Sequence, residues 1–204
     1  MIPGEQAITH VYGRGGLVRV QQWQQLMTQL KTAPDSVKLR RVNDFFNRLA
    51  FLDDTVVWNL EDYWATPVEF LGTGAGDCED FTMAKYQTLR MLGVEDDRMR
   101  LNYVKYVPYN QFHMVLTYTA TPGEMPLVLD NIRQEIVPAS QRSDLKPVYS
   151  FNAKSLWISR LDNQGKRVGS SQRLSMWEDW MVRLDNGTMK VPAARGRSRS
   201  GAWG

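Results

Sequence analysis

The single cysteine of the 204-residue chain, Cys78, lies among carboxylates in the stretch GAGDCED. Asp77 precedes it, and Glu79 and Asp80 follow it. The thiolate is the nucleophilic form of cysteine, and neighbouring negative charges raise the pKa of a thiol. Three acids therefore disfavour a nucleophile at this position. Either Cys78 is a small buried residue beside a helix cap, or it is reactive and its acidic neighbours serve another purpose.

The first interpretation treats the acids as the start of a helix. Asp77 has the residue type of an N-cap, and Asp80, three residues later, completes the pattern of a capping box. The second interpretation depends on where this places Cys78. The first turn of a helix exposes unpaired backbone N–H groups and the positive end of the helix dipole, which lower a thiol pKa and can hold an oxyanion.

The glycines before Cys78, in GTGAGD, also invite comparison with a phosphate-binding loop. The stretch lacks the Lys-Ser/Thr pair of such loops and has an acid where the phosphate would lie. We therefore interpret these glycines as a flexible approach to the helix.

A nucleophilic cysteine requires a base, and the base requires an orienting group. The chain has two histidines, His10 and His113. His113 opens FHMVLTYT, whose alternation predicts a strand with His113 on the face opposite to Phe112 and Met114. Asp130 ends the next predicted strand, PLVLDN, from which a carboxylate can reach the imidazole and stabilise its charged form. His10 lies in an N-terminal stretch that we expect to be loose.

Helical patterns come first in the chain and strand patterns second. Apolar residues recur at helical spacing over residues 16–33 and 35–52, and the Cys78 helix is expected to end near Gly93. From residue 98 onward, short β-branched and aromatic segments alternate with turn signals, and SMWEDWMVRL predicts a final helix. This order indicates an α+β fold with N-terminal helices packed on an antiparallel sheet.

The net charge of +3 comes from the C-terminal tail. That tail has no acid and carries four cations, Lys190, Arg195, Arg197 and Arg199, so the remainder has a net charge of −1. A near-neutral folded part argues against nucleic-acid binding, and no apolar run is long enough to insert into a membrane. One cysteine excludes an internal disulfide.

We expect one domain over residues 1–190, with a helical lobe at about 16–93 and a sheet lobe at about 98–175. Residues 191–204 are expected to form a disordered basic tail. Within the sheet lobe, Asp162–Gly165 predicts a hairpin turn.

Three motifs, GDCEDFTMAKYQTL, FHMVLTY and LVLDNI, resemble the bacterial transglutaminase-like cysteine proteinases. EDYWATPVEFL and PVYSFN fit the same family, and the resemblance covers about residues 20–160. It implies a papain-like, transglutaminase-like core with a catalytic triad of Cys78, His113 and Asp130.

The same resemblance implies a calcium-dependent endopeptidase of the periplasm. Such an enzyme cleaves the N-terminal region of a large cell-surface adhesin at a paired-alanine site, which releases biofilm cells, and an inner-membrane receptor for cyclic di-GMP sequesters it. The start of the chain shows no signal peptide, so this location requires a leader that has been removed.

The family's calcium ligands map to Asp77 and Glu79, with Asp80 as a third. A bound Ca²⁺ would remove much of the negative field around the thiol, which gives the acids their purpose. DCEDFTMAKYQT is not an EF-hand, because it lacks the glycine at position six and the closing Glu. Further ligands must therefore come from elsewhere in the fold or from water.

Two alternatives share these residues. A transglutaminase-type acyl transferase would use the same thioester chemistry with an amine as acceptor. A non-enzymatic, calcium-stabilised binding domain would not need the triad. The oxyanion donor is also open between the Cys78 backbone N–H and an indole from the Trp58–Trp64 stretch.

Overall fold

The computed structural model describes residues 1–158, 166–169 and 174–193. Its α-helices are α1 (Glu5–Leu30), α2 (Asp35–Phe46), α3 (Asp54–Val57), α4 (Pro67–Thr73), α5 (Cys78–Met91) and α6 (Ser175–Asn186). None of these helices is both long and apolar enough for a membrane span.

Two sheets accompany the helices. Their strands are β1 (Ala50–Phe51), β2 (Ala75–Gly76), β3 (Met99–Tyr106), β4 (Gln111–Tyr118), β5 (Leu127–Leu129), β6 (Val137–Pro138), β7 (Leu145–Phe151), β8 (Leu156–Ile158) and β9 (Lys166–Gly169). Strands β1 and β2 pair in parallel, and the others form an antiparallel sheet in the order β6-β5-β4-β3-β7-β8-β9. The predicted α+β class, with helices preceding and packing on an antiparallel sheet, is confirmed.

Helix α5 lies at the centre of the fold. It contacts β3 and β4 of the large sheet, and it also contacts α2 and α4. Its residues Phe81, Met83 and Leu89 are buried in the same core as Met114 and Leu116, which face it from β4. Because these apolar contacts fix the helix along its length, the position of its first residue, Cys78, is fixed relative to β4.

The N-terminal stretch is helical, contrary to the loose structure expected there. Helix α1 contains a break at Gly13, whose φ of 73° lies in the left-handed region that glycine tolerates. The segment before the break is anchored because Ile8 is only 1% exposed and the Tyr12 hydroxyl donates to the Lys190 carbonyl over 2.8 Å. These partners are distant in sequence, so local patterns did not reveal them.

The final predicted helix is confirmed as α6. The predicted pairing across the last hairpin is present in β8 and β9, while the turn itself, Asp162–Gly165, falls outside the described residues. Residues 194–204 of the predicted basic tail also fall outside them.

Candidate active site

The register of β4 and β5 brings His113 to Asp130. Leu116 pairs with Leu129, so the residue that follows β5 lies beside the His113 end of β4. His113 Nε2 and Asp130 Oδ1 are 2.7 Å apart, and the two residues are 4% and 1% exposed. Because Asp130 occupies Nε2, the other ring nitrogen, Nδ1, remains for a reacting group.

Asp130 is ionised at neutral pH. Burial alone would raise its pKa, but the hydrogen bond and charge of His113 and the guanidinium of Arg142 lower that pKa to about 2. An ionised carboxylate at this place can hold the imidazole tautomer and stabilise the imidazolium.

Cys78 is the first residue of α5, as the capping pattern predicts. Asp80 Oδ2 accepts from the Asp77 backbone N–H at 3.3 Å, and Asp80 Oδ1 accepts from the Ala65 N–H at 2.7 Å. A Cβ at Gly76 would lie 2.2 Å from Asp80 Oδ2, so glycine is required for this close approach. Asp80 is thus buried, and its two hydrogen bonds to backbone amides stabilise the turn at the start of α5.

The Cys78 thiol is partly exposed and donates to Glu79 Oε2 at 2.9 Å. Burial, the Glu79 carboxylate and the Asp77 carboxylate raise its pKa, and the Met114 backbone N–H acts in the opposite direction. Thr82 ties the two elements together, since its hydroxyl contacts the carbonyls of Cys78 and Met114 at 2.8 and 2.9 Å. Without a cation beside it, the thiol is therefore held in its neutral form.

Three carboxylates form an acidic cluster next to the thiol. Asp54, Asp77 and Glu79 each place one oxygen within 4.8 Å of the others. Burial and the neighbouring carboxylates raise the pKa of Asp77 to about 11, and burial raises that of Asp54 to about 7. Asp54 Oδ1 and Asp77 Oδ1 are buried without a hydrogen-bond partner in the described chain. Buried acceptors that lack donors and repel one another suit a hard cation.

This cluster differs from the ligand set expected from the sequence. It contains Asp77 and Glu79, it adds Asp54, and it leaves out Asp80, whose oxygens both accept from backbone amides. Asp54 is held in place because its Oδ2 accepts from the Tyr63 N–H at 2.5 Å. Nothing in the local sequence distinguishes Asp54 from its neighbour Asp53, so the sequence alone did not reveal it.

A cleft crosses the site. Cys78 and His113 line a cavity of about 820 Å³, whose wall includes Trp64 and Tyr103. They also line a second cavity of about 400 Å³, which is bounded by Tyr106, Tyr109 and Ile132. Two cavities that share the thiol and imidazole residues offer room for an extended peptide.

The structure distinguishes His113 from His10 as the candidate base, and Trp64 from Trp58 as the candidate indole donor. His113 lines the cleft, whereas His10 is exposed on α1. Trp64 lines the larger cavity and its indole N–H donates to Asp62, while Trp58 is a buried core residue. The Trp64 N–H is therefore already engaged, which favours the backbone N–H groups at the start of α5 as the oxyanion donors.

A cysteine at the start of a buried helix, a histidine on an adjoining strand and an aspartate after the next strand are typical of transglutaminase-like cysteine proteinases. The sequence profile described as bacterial transglutaminase-like cysteine proteinase BTLCP matches residues 19–159, and the chain belongs to this family. No curated protein sequence gives a significant match.

Solved structures of Legionella pneumophila LapG are similar to the chain. The EGTA-treated form is 38% identical, with a TM-score of 0.77, and the match covers 90% of this chain and 98% of that one. The calcium-bound form is 40% identical, with a TM-score of 0.76, and the match covers 88% and 97% of the two chains.

Proposed function

We propose that the protein is a calcium-dependent cysteine endopeptidase of the LapG type, with Cys78, His113 and Asp130 as its catalytic triad. The observation that carries this proposal is the 2.7 Å contact between His113 Nε2 and Asp130 Oδ1 at a cleft that Cys78 also lines. Membership of a cysteine proteinase family supplies the reaction class.

The three residues of the triad divide the reaction between them. His113 Nδ1 takes the thiol proton, and the Cys78 thiolate attacks the peptide carbonyl. The backbone N–H groups at the start of α5 hold the oxyanion, and the imidazolium gives its proton to the leaving amine as the C–N bond breaks. Water then hydrolyses the thioester with His113 as base, which releases the acid and restores the thiol. Asp130 keeps the ring oriented throughout.

Calcium fits the acidic cluster. We assign Asp54, Asp77 and Glu79 as side-chain ligands, with carbonyl or water oxygens completing the shell. Asp80 supports this site by capping α5 and is left out of the ligand set. When bound, the ion supplies positive charge beside the thiol. The calcium-bound and EGTA-treated forms of the similar LapG support a calcium site in this chain.

The biological role proposed is adhesin processing in the periplasm. The substrate would be the N-terminal region of a large cell-surface adhesin, whose release disperses biofilm cells. An inner-membrane, cyclic di-GMP-responsive receptor of the LapD type would sequester the enzyme. The match to LapG over nearly the whole of both chains supports this role. We further propose that the enzyme is a single domain over residues 1–190, followed by a basic tail.

One experiment separates the proposed function from its alternatives. The protein is incubated with an adhesin N-terminal fragment and a fluorescent primary amine, with calcium or with EGTA. Calcium-dependent fragments support the endopeptidase. Incorporation of the amine without fragments would identify the acyl transferase, and calcium binding with neither product would identify a binding domain.

The first prediction concerns the base. His113→Ala should be about as inactive as a variant without the nucleophile, because members of a catalytic unit are not additive. Asp130→Asn should lose roughly 10²–10⁴-fold in kcat/KM, since the imidazole loses its orienting charge. His10→Ala is the matched control and should cleave at the wild-type rate. An inactive His10→Ala beside an active His113→Ala would reverse the assignment.

The second prediction concerns the receptor. The aromatic-rich segments VVWNLEDYW and SMWEDWMV are candidate apolar patches by sequence, but their tryptophans and Tyr63 are buried core residues. The exposed apolar residues of these segments are Val56, Leu60 and Val182, and exposed aromatic side chains also border the cleft at Phe51, Tyr109 and Phe112. We expect a receptor complex to persist from about 0.1 to 1 M salt, over which the Debye length falls from ~10 to ~3 Å. Dissociation over this range in a pull-down would indicate a charged interface instead.

A further inference from the structure

Arg142 is a buried cation behind the catalytic aspartate. It follows a single 3-10 turn at Ala139–Gln141, it is 2% exposed, and the resemblance to the family gave it no role. Its Nη2 donates to Asp130 Oδ2 at 2.7 Å. Taking a guanidinium out of water is unfavourable unless its partners are well placed, so a buried arginine requires a reason.

The partners of Asp130 divide its two carboxylate oxygens. Oδ1 contacts His113 Nε2 at 2.7 Å and accepts from the Ile132 N–H at 3.1 Å. Oδ2 accepts from Arg142. A carboxylate held on both oxygens cannot rotate about its terminal bond, so the Oδ1 lone pair stays aimed at the imidazole.

The support extends beyond Asp130 on both sides. Arg142 is itself held by Asp144, whose Oδ1 accepts from Nε at 3.0 Å and whose Oδ2 accepts from Nη2 at 2.9 Å. The backbone carbonyl of Asp130 accepts from Asn47 Nδ2 at 2.9 Å and from Lys85 Nζ at 3.2 Å. The main chain of Asp130 is thus fixed by other groups, and Arg142 is left to fix its carboxylate.

We propose that Arg142 is a positioning residue of the protease, which acts through Asp130 to hold His113 in its reactive orientation. Arg142 also balances the carboxylate charge while His113 is neutral, before the thiol proton is transferred. Asp144 completes the chain of contacts from the surface side. This inference rests on the triad of the proposed function.

Substitutions at Arg142 test this role when they are made both in the wild type and in an Asp130→Asn variant, which lacks the carboxylate charge. Arg142→Gln should lower kcat about 10- to 100-fold while KM stays within about twofold, the effect typical of losing an orienting partner. Arg142→Lys should recover part of the loss, because it retains the charge without the forked geometry. In an Asp130→Asn background, Arg142→Gln should change kcat by less than about twofold, since residues that act as a unit are not additive.

Arg133→Gln is the matched control. Arg133 precedes the same turn and is half-exposed, and it contacts Glu135 and the Gln141 carbonyl, each at 3.4 Å. None of these contacts is to Asp130 or His113, so kinetic constants should match the wild type. A second readout is the low-field proton resonance of the His113–Asp130 hydrogen bond, measured in a His10→Ala background. Arg142→Lys should retain this resonance, and Arg142→Gln should shift or lose it.

Several outcomes would overturn the inference. The first is a wild-type kcat in Arg142→Gln, and the second is a change in KM with kcat unchanged. The third is an equal fall in kcat in the wild-type and Asp130→Asn backgrounds, which would indicate a structural role for Arg142. If Arg142→Gln does not fold, Asp130→Asn/Arg142→Met removes both charges and is compared with Asp130→Asn alone. Equal kcat supports the inference and a further tenfold fall contradicts it. An Asp130→Asn variant as active as the wild type would instead overturn the proposed triad.

Discussion

Replacing Cys78 by alanine is expected to abolish peptide cleavage and to leave the fold intact. Cys78 is the single thiol of the chain and the first residue of α5, so no other side chain can form the thioester. Loss of a catalytic nucleophile typically lowers kcat by roughly 10⁴-fold or more. The side chain is small and partly exposed, so the free energy of unfolding should change by less than about 1 kcal/mol. Fragment yield by gel and mass spectrometry, together with the melting temperature, checks both parts.

Chemical modification provides an independent control for this variant. Alkylation of the wild type by iodoacetamide should add one label and remove activity, and Cys78→Ala should take up no label. Cys78→Ser keeps the shape of the side chain and should also be inactive, because a hydroxyl is far harder to ionise than a thiol. Cleavage by purified Cys78→Ala at a rate near that of the wild type would refute the nucleophile.

The long elements of this fold were predictable because their patterns repeat over many residues. Helix α2 and strand β4 were predicted from a periodic apolar face, α5 from its capping pattern, and β3 from its β-branched and aromatic residues. Strands β1, β2 and β6 have two residues each, which is too short for a period. Their existence depends on which distant backbone lies alongside, and sequence patterns do not encode that directly.

The candidate site was also predictable only in part. Cys78, His113 and Asp130 could be singled out because a helix start and two consecutive strands carry them, and consecutive antiparallel strands are neighbours. Asp54 and Arg142 could not be singled out, because each acts through a contact that exists only after folding. The orientation of Asp80 was also hidden, since its inward turn depends on the Ala65 amide.

The segment between α3 and α4 shows how a distant helix shapes this site. Arg183 of α6 donates to Glu69 Oε2 at 2.9 Å and to the Trp64 carbonyl at 2.7 Å. The Trp180 indole donates to the Ala65 carbonyl at 3.0 Å. Helix α6, the last described helix, therefore fixes the segment whose Ala65 amide holds Asp80 and whose Trp64 lines the cleft.

Removing calcium is expected to abolish cleavage, and adding it back should restore activity. Burial and the Glu79 and Asp77 carboxylates of the cluster raise the thiol pKa, and Glu79 also accepts the thiol hydrogen, so a cation that binds these oxygens favours the thiolate. Calcium at about 100 times its Kd adds roughly 2.7 kcal/mol to the free energy of unfolding, which corresponds to about 5–10 °C in a domain of this size. Mg²⁺ should substitute poorly, because it demands tighter octahedral geometry. Cleavage assays and thermal melts in EGTA, Ca²⁺ and Mg²⁺ measure these effects.

Single Asp→Asn substitutions assign the calcium requirement to the cluster. Asp54→Asn and Asp77→Asn keep an oxygen acceptor but remove a charge, so calcium affinity by calorimetry should fall about tenfold or more and cleavage should fall with it. In EGTA both variants should melt no lower than the wild type, because burial and like-charge repulsion already disfavour the ionised acids. Asp53→Asn is the matched control, since Asp53 is exposed, adjoins Asp54 and lies outside the cluster.

If the acids served only as helix caps, Asp77→Ala would lose roughly 0.5–2 kcal/mol of stability with no metal dependence. Full activity in EGTA, with no heat of calcium binding to the wild type, would establish that alternative.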